Sequence, residues 1–328
     1  MARCSVFIDP ICAEHENPYH PECNARLEIA CSGIPRDIIR LTPSPASIRD
    51  VERVHDPGYL AWLEHRCSET TSLGWLDPDT YITRNSFTAA LHAAGGAIAA
   101  VERSLEGEHS FALIRPPGHH AEYNRAMGFC LINNVAVAAK KALERVDRIA
   151  IVDWDIHHGN GTQNSFYGTD RVLYCSVHLE HFFPYTGTID ETGAGEGKGY
   201  SINAPLQSGS TIADYASVFS EIFVPSVEHF SPDIMIVSAG QDILSDDPLG
   251  MMGIHPEDLE VLTRMLVHAA GVPLALVLEG GYGPSHGVAI RSIFSALTSD
   301  GQITGQGIPS GHTKTIVSRL KSEHRIPQ

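Results

Sequence analysis

Residues 149–160 read Ile149-Ala150-Ile151-Val152-Asp153-Trp154-Asp155-Ile156-His157-His158-Gly159-Asn160, an apolar run followed directly by carboxylates and imidazoles. Continuous apolar runs, rather than alternating ones, are typical of parallel strands that are covered on both faces. Helical patterns separate this run from similar runs elsewhere in the chain, so the sequence predicts an α/β fold: an open three-layer sandwich with a central, mostly parallel sheet. The other apolar runs lie at 111–114, 172–175, 234–237 and 274–278.

The segments between these runs predict helices and two long loops. The loops are expected at 177–212, which is rich in Gly, Thr and Pro, and at 240–256. Residues 1–298 are expected to form one domain, followed by a peripheral tail at 299–328 that is rich in Gly, Ser and Lys. The predicted helices span 86–104, 134–145, 213–223, 257–269 and 285–297.

The composition is that of an ordinary globular protein. Of 328 residues, 43% are hydrophobic and 19% are charged, and no apolar stretch approaches the length of a membrane span. The N-terminal segment reaches Asp9 before a signal-type apolar run develops, so we expect a cytoplasmic protein with seven reduced cysteines and no membrane partner. The net charge of −16 argues against a nucleic-acid partner. This negative charge weakly favours a cationic substrate, but surplus surface carboxylates that only aid solubility explain it at least as well.

Polar residues cluster where the predicted strands end. Strand ends lead into 115–120, 153–160, 238–242 and 279–282, which together contain His, Asp, Glu and Tyr. Ligands of open parallel sheets bind beyond the carboxyl ends of the strands, so these four segments predict one functional site.

A metal site is predicted from residues 155 and 157. Asp155 and His157 are two residues apart, and in an extended segment such residues point to the same side. They can therefore face one cation together, with Asp242 at another strand end as the natural third ligand. One imidazole and two carboxylates leave an open position for water, as a catalytic zinc site requires.

The tandem histidines and a glycine-flanked tyrosine predict acid/base and oxyanion chemistry. His119 and His120 lack the spacing of a helical metal pair, so we interpret them as acid/base groups oriented by Asp153 and Asn160. The alternative is a pair of hydrogen-bonded structural histidines. Tyr282, on a Gly-Gly turn after a buried strand, can donate a hydrogen bond to a developing oxyanion. Alone, it would more simply be a core tyrosine.

Taken together, residues from about 15 to 297 resemble the histone deacetylase and acetylpolyamine amidohydrolase superfamily, which shares the arginase-like α/β fold. The resemblance implies a zinc-dependent amidohydrolase that removes acetyl groups from amines, with zinc bound by Asp155, His157 and Asp242. It is closer to the class II and bacterial branch than to class I. The motifs that carry it are RPPGHH at 115–120, DWDIHHGNGTQ at 153–163, SAGQD at 238–242, DPLG at 247–250 and EGGY at 279–282.

The family's catalytic roles fall on residues that the strand-end pattern already singles out. The resemblance implies a general base that later acts as an acid, an electrostatic partner beside it, and a tyrosine that polarises the acetyl carbonyl. These are His120 with Asn160 behind it, His119 paired with Asp153, and Tyr282.

The resemblance also implies a substrate tunnel and structural potassium. Arg26 matches an arginine at an internal cavity linked to acetate release. Tyr185 stands where the family usually has glycine, so we expect it to narrow or reshape the tunnel mouth. The remaining tunnel positions are the walls Phe129 and Phe183, the rim residue Leu249, and Gly281. One potassium is expected at Asp153, Asp155, His157, Ser176 and Val177, and a second near Phe166, Thr169 and Val172.

Several functional alternatives remain open. An acetyl-lysine peptide is the expected substrate, because the stretch 66–110 is too short for the insertion of bacterial acetylpolyamine enzymes, and Leu249 is not acidic. A small acetylated polyamine is the alternative that the negative charge favours. Arginase-type hydrolysis at two manganese ions is disfavoured by the tandem His, and a non-catalytic binding module by the intact set of site residues. A homo-oligomer is also possible.

Overall fold

A computed structural model describes residues 4–303 and 307–324. Its centre is an eight-stranded sheet in the order β2-β1-β5-β10-β9-β6-β7-β8, and all neighbouring strands are parallel. A separate antiparallel hairpin pairs β3 with β4. The strands are β1 Cys4–Phe7, β2 Ile39–Leu41, β3 Gly74–Trp75, β4 Tyr81–Ile82, β5 His109–Ala112, β6 Ile149–Asp153, β7 Val172–Leu179, β8 Ser201–Leu206, β9 Ile234–Ala239 and β10 Leu274–Leu278.

Helices surround this sheet. Helices α4 and α5 pack on each other, with α4 also lying along β5 and β10, while α9 contacts α10 and α8. Every residue of the central strands β6, β9 and β10 is buried, as expected for a sheet covered on both faces. The helices are α1 Asn24–Ser32, α2 Ile48–Val51, α3 Pro57–Glu69, α4 Ser86–Leu105, α5 Asn134–Ala142, α6 Asn160–Phe166, α7 Ile212–Val218, α8 Val224–Phe230, α9 Asp258–Ala270, α10 His286–Thr298 and α11 Gly311–His324.

The predicted α/β sandwich is confirmed, with local corrections. The strand predicted at 111–114 begins two residues earlier, as β5. The helix predicted at 213–223 does not end there, because a π-helical turn at Phe219–Phe223 joins α7 to α8. No candidate transmembrane helix occurs among residues 4–303 and 307–324.

The prediction of one long loop at 177–212 is wrong. Strand β7 continues to Leu179, and β8 forms the edge of the sheet beside it. Strand β8 contains Asn203 and Pro205, and proline within a run is a signal that argues against a central strand. Its apolar residues are buried because α11 packs against it.

Helix α11 lies within the segment predicted to be a tail. Its residues Thr313, Ile316, Val317 and Leu320 are buried, at a spacing that places them on one helix face. The helix packs on β8 and α7, so this segment contributes apolar side chains to the core.

We expect Leu320→Ala to lower the free energy of unfolding by about 2–5 kcal/mol, because it removes a fully buried leucine from a packed interface. Urea unfolding at equilibrium measures this change. The matched control is Ser318→Ala on the exposed face of the same helix, which should change stability by less than about 0.5 kcal/mol. Equal stability of both variants would show that α11 does not contribute to the core.

Candidate active site

The carboxyl ends of β5, β10, β9 and β6 lie side by side in the sheet. Strand β6 leads into Asp155 and His157, and β9 leads into Asp242. These three side chains each offer one ligand atom, and the three atoms lie within 4.8 Å of one another. His157 Nδ1 is 3.0 Å from Asp155 Oδ1 and 3.1 Å from Asp242 Oδ2. The group is thus one that can hold a metal ion.

The surroundings of this triad fit a cation. Asp155 and Asp242 are fully buried, and each also accepts a backbone N–H, from Gly280 and Ile156 respectively. Burial and the charge of Asp155 raise the pKa of Asp242 to about 7. Two facing carboxylates away from water are unfavourable without a positive partner. A methyl group on Gly280 would lie only 2.2 Å from Asp242 Oδ2, so glycine is required for the close approach.

Two buried histidines from the turn after β5 lie beside the triad. His119 Nδ1 is 3.1 Å from Asp153 Oδ2, and His120 Nδ1 is 2.8 Å from Asn160 Oδ1. Burial lowers the pKa of His120 well below its ordinary value, so this ring is neutral. Burial also opposes charge on His119, but Asp155 and Asp153 raise the pKa of His119 to about 10. The surroundings therefore favour positive charge on His119 and disfavour it on His120.

Apolar walls and Tyr282 enclose a cavity of about 50 Å³ above the triad. Phe183 contacts His120 edge to face at 5.1 Å, and Phe129 meets Tyr282 in the same manner at 5.9 Å. Leu249 lies at the same cavity. The guanidinium of Arg26 lies 4.8 Å from the centroid of the Tyr282 ring.

Two other predicted tunnel residues lie outside this cavity lining. Tyr185 is 78% exposed and lines a separate surface cavity of about 420 Å³, beside His178 and helix α11. The chain turns at Tyr185, where φ is +65°. The expectation that Tyr185 narrows or reshapes the tunnel mouth stays a prediction. Gly281 contributes its backbone, because its carbonyl accepts a hydrogen bond from Arg26 Nε at 2.8 Å.

The predicted potassium ligands lie in two places around β7. Ser176 and Val177 are buried in β7 beside Asp153 of β6, and Ser176 Oγ is 2.8 Å from His178 Nδ1. Elsewhere, Phe166 ends α6 and its carbonyl accepts the Thr169 N–H at 3.2 Å, shortly before Val172 begins β7. The potassium assignments stay predictions.

Glu279 is a buried residue of the site that the sequence analysis did not single out. Its Oε2 accepts the N–H groups of Gly118 at 2.7 Å and His119 at 3.1 Å, and its Oε1 accepts Ser238 Oγ–H at 3.2 Å. Burial raises the pKa of Glu279 to about 7. The only signal in the sequence was its place in the EGGY segment.

A buried ion pair lies behind the histidine turn. Arg115 Nε and Nη2 donate to Glu22 Oε1 and Oε2 at 2.9 and 2.7 Å, and Arg26 Nη1 donates to Glu22 Oε1 at 3.1 Å. Glu22 and Arg115 are fully buried. Burial acts to raise the pKa of Glu22, but Arg115 outweighs it and lowers the pKa to about 2.

We expect Glu22→Gln to destabilise the protein by about 3–5 kcal/mol at pH 7, because it removes the buried carboxylate that two buried arginines share. The pKa of Glu22 is depressed, so its stabilisation is fully present above about pH 4.5 and is lost as the pH falls towards 2. Urea unfolding at pH 7 and pH 3 should show a smaller difference from the unmodified protein at pH 3. Exposed Glu28→Gln in the same segment is the control. A loss independent of pH would contradict the role of the charge.

Comparisons with known proteins agree with this geometry. The chain matches the histone deacetylase domain over residues 20–297. A probable deacetylase of Archaeoglobus fulgidus is 40% identical over 297 residues, covering 86% of this chain and 82% of that protein. A histone deacetylase-like amidohydrolase of Pseudomonas aeruginosa is 36% identical over 334 residues, covering 90% and 87%.

A solved structure has the same fold. The crystal structure of the HDA15 HD domain superposes with a TM-score of 0.92 at 31% sequence identity, covering 98% of this chain and 94% of that chain. The fold, the sequence similarity and the placement of polar residues at four strand ends all indicate one family. The chain therefore belongs to the histone deacetylase family.

Proposed function

We propose that the protein is a zinc-dependent deacetylase that hydrolyses the acetyl amide of acetyl-lysine side chains. The observation that carries this proposal is the triad of Asp155, His157 and Asp242, which lies beside neutral His120 and Tyr282 at one cavity. Two similar proteins bear the names deacetylase and amidohydrolase, which support the same class of reaction.

The triad is suited to zinc because imidazole nitrogen and carboxylate oxygen are common zinc ligands, and three protein ligands leave a position for water. Zinc held by Asp155, His157 and Asp242 would supply a Lewis acid beside the amide carbonyl and lower the pKa of a nearby water.

In this proposal His120 acts first as the general base and then as the general acid. Its Nδ1 lies against the side-chain oxygen Oδ1 of Asn160, so the hydrogen-bond network places a proton on Nδ1 and leaves Nε2 as the accepting atom. A neutral ring is required for a general base, and burial keeps His120 neutral. After it has accepted a proton from water, the same ring donates to the departing amine.

In this proposal His119 and Tyr282 stabilise the negative charge that develops on the oxygen of the acetyl carbonyl. His119 is held by Asp153, whose carboxylate favours a positive charge on this ring, and that charge would stabilise negative charge developing in the buried site. Tyr282 donates its phenolic hydrogen to the oxygen of the former carbonyl. The pKa of this phenol lies well above its ordinary value because of burial, so the proton is retained.

The apolar walls support an acyl-lysine substrate. Phe129 and Phe183 present aromatic surface, against which the alkyl stem of a lysine side chain packs favourably. The net charge of −16 is the specific observation that favours the second candidate, an acetylpolyamine, whose other amines are cationic.

A direct comparison of substrates tests the proposal. Zinc-loaded protein is assayed on an acetyl-lysine peptide and on acetylated spermidine, putrescine and cadaverine, with zinc content measured for the same preparation. Faster turnover of the peptide supports the first candidate, and faster turnover of the polyamines supports the second. Two metal ions per chain would instead favour arginase-type chemistry. One zinc per chain with no turnover of any substrate would reject both deacetylase candidates.

A further inference from the structure

We propose that Asp247 is a positioning residue that fixes the backbone of Tyr282 and of Leu249 relative to the metal ligand Asp242. This inference rests on the proposed function, because it concerns how Tyr282 is aimed at the reacting carbonyl.

Asp247 joins two loops that are distant in sequence. It lies after β9, five residues beyond Asp242, and is buried. Its Oδ2 accepts the N–H groups of Tyr282 at 2.6 Å and Gly283 at 2.9 Å, both from the loop after β10. Its Oδ1 accepts the N–H of Leu249 at 2.9 Å. One carboxylate therefore holds the tyrosine turn and the predicted rim residue together.

The Tyr282 turn depends on this contact more than an ordinary turn would. It is preceded by Gly280 and Gly281, and Gly281 has φ +119°, a conformation that a glycine adopts at little cost and leaves equally readily. Gly280 is held through its N–H by Asp155 and through its carbonyl by the Gln241 N–H, whereas Gly281 is held through its carbonyl by Arg26. The peptide N–H of Tyr282 itself is held by Asp247.

The chemistry makes accurate placement necessary. A donor stabilises an oxyanion only when it lies about 2.7–3.1 Å from the position of the charged oxygen. A displacement of about 1 Å can reduce the rate by roughly 100-fold. Asparagine at position 247 has the same shape but only one accepting oxygen, so it cannot accept from both loops.

The test compares Asp247→Asn with Asp246→Asn. Asp246 is the neighbouring carboxylate, but it is exposed and accepts hydrogen bonds from Ser285 instead. We expect Asp247→Asn to lower kcat roughly 10- to 100-fold with unchanged zinc content and KM, and Asp246→Asn to change kcat less than about twofold. Asp247→Glu, which keeps the charge but displaces it, should give an intermediate loss and serves if Asp247→Asn does not fold.

A double-mutant cycle distinguishes positioning from a general structural effect. If Asp247 acts through Tyr282, then Asp247→Asn should cost less than about threefold in kcat when Tyr282 is already phenylalanine. An equal loss in both backgrounds would overturn the inference.

A second readout does not depend on turnover. Amide hydrogen exchange across 279–285 should be faster in Asp247→Asn than in the unmodified protein, because the single neutral amide oxygen accepts more weakly than a carboxylate and cannot hold both loops. Unchanged exchange would overturn the inference even for an enzyme with no deacetylase activity. If the unmodified protein has no turnover but exchange across 279–285 is faster in Asp247→Asn, the proposed function is rejected and the positioning of the Tyr282 backbone by Asp247 is retained.

Discussion

Replacing Asp242 with asparagine is expected to prevent stoichiometric zinc binding and to lower kcat by about 1000-fold or more. The one oxygen of asparagine is needed to accept the Ile156 N–H, which turns the amide nitrogen, a poor metal ligand, towards Asp155 and His157. Metal catalysis of this kind contributes several kcal/mol to transition-state stabilisation. Each 1.36 kcal/mol corresponds to about a tenfold change in rate. Zinc content by mass spectrometry, measured together with kcat, gives both quantities on one preparation.

A matched control lies at the opposite end of the same strand. Asp233 precedes β9, is exposed, and accepts the N–H groups of Asp147 and Arg148. Asp233→Asn should retain both zinc and turnover. Full zinc occupancy in Asp242→Asn would show that the triad is not the metal site.

The same substitution should have the opposite effect on the metal-free protein. Asp155 and Asp242 are buried together, and the charge of Asp155 disfavours charge on Asp242. Removing one carboxylate relieves this repulsion. The Tm of metal-free Asp242→Asn should therefore exceed that of the metal-free unmodified protein, although addition of zinc stabilises only the latter. A Tm of metal-free Asp242→Asn equal to or below that of the metal-free unmodified protein would argue against strong coupling between the two carboxylates.

Replacing Tyr282 with phenylalanine is expected to lower kcat by roughly 100- to 1000-fold while zinc stays bound. The change removes only the hydroxyl that is proposed to donate to the oxyanion. The ring remains, with its edge-to-face contact to Phe129 and its contact with the Arg26 guanidinium, so the fold should be unaffected. Steady-state kinetics and zinc content are measured side by side.

Tyr123→Phe is the control for loss of a tyrosine hydroxyl, since Tyr123 is 59% exposed. It should leave kcat within about twofold. Loss of zinc from Tyr282→Phe would show that the tyrosine supports the metal site rather than the substrate carbonyl, and full activity would remove it from the reaction altogether.

The strands that build the site were predictable because burial on both faces requires a continuous run of apolar residues. Strands β6, β9 and β10 consist almost entirely of apolar residues, and each ends where polar residues begin. The edge strand β8 lacks this pattern, because Asn203 and Pro205 interrupt its apolar residues. Helix α11 has the helical spacing of a core element, but its few buried residues stand among polar neighbours in a segment that was expected to be a tail.

The positions of Tyr185 and Asp247 were not predictable in the same way. Tyr185 follows Phe183 by two residues, yet Phe183 lines the cavity whereas Tyr185, itself at positive φ, has an exposed side chain. Asp247 was noticed only as part of the DPLG segment. Its function depends on N–H groups 35 and 36 residues away, and sequence spacing carries no information about such pairs.

The chain's local patterns were sufficient to establish the parallel α/β sandwich, the order of its strand-end motifs and the identity of the metal-capable triad Asp155, His157 and Asp242. These features follow from periodicity and residue chemistry, which act over a few residues. The three-dimensional fold was needed to place Glu279 under the histidine turn, Asp247 under Tyr282, and α11 on β8. The contacts of Glu279 and Asp247 join segments up to 161 residues apart, because parallel strands bring distant loops to the same edge of the sheet, whereas α11 packs on the last strand of that sheet.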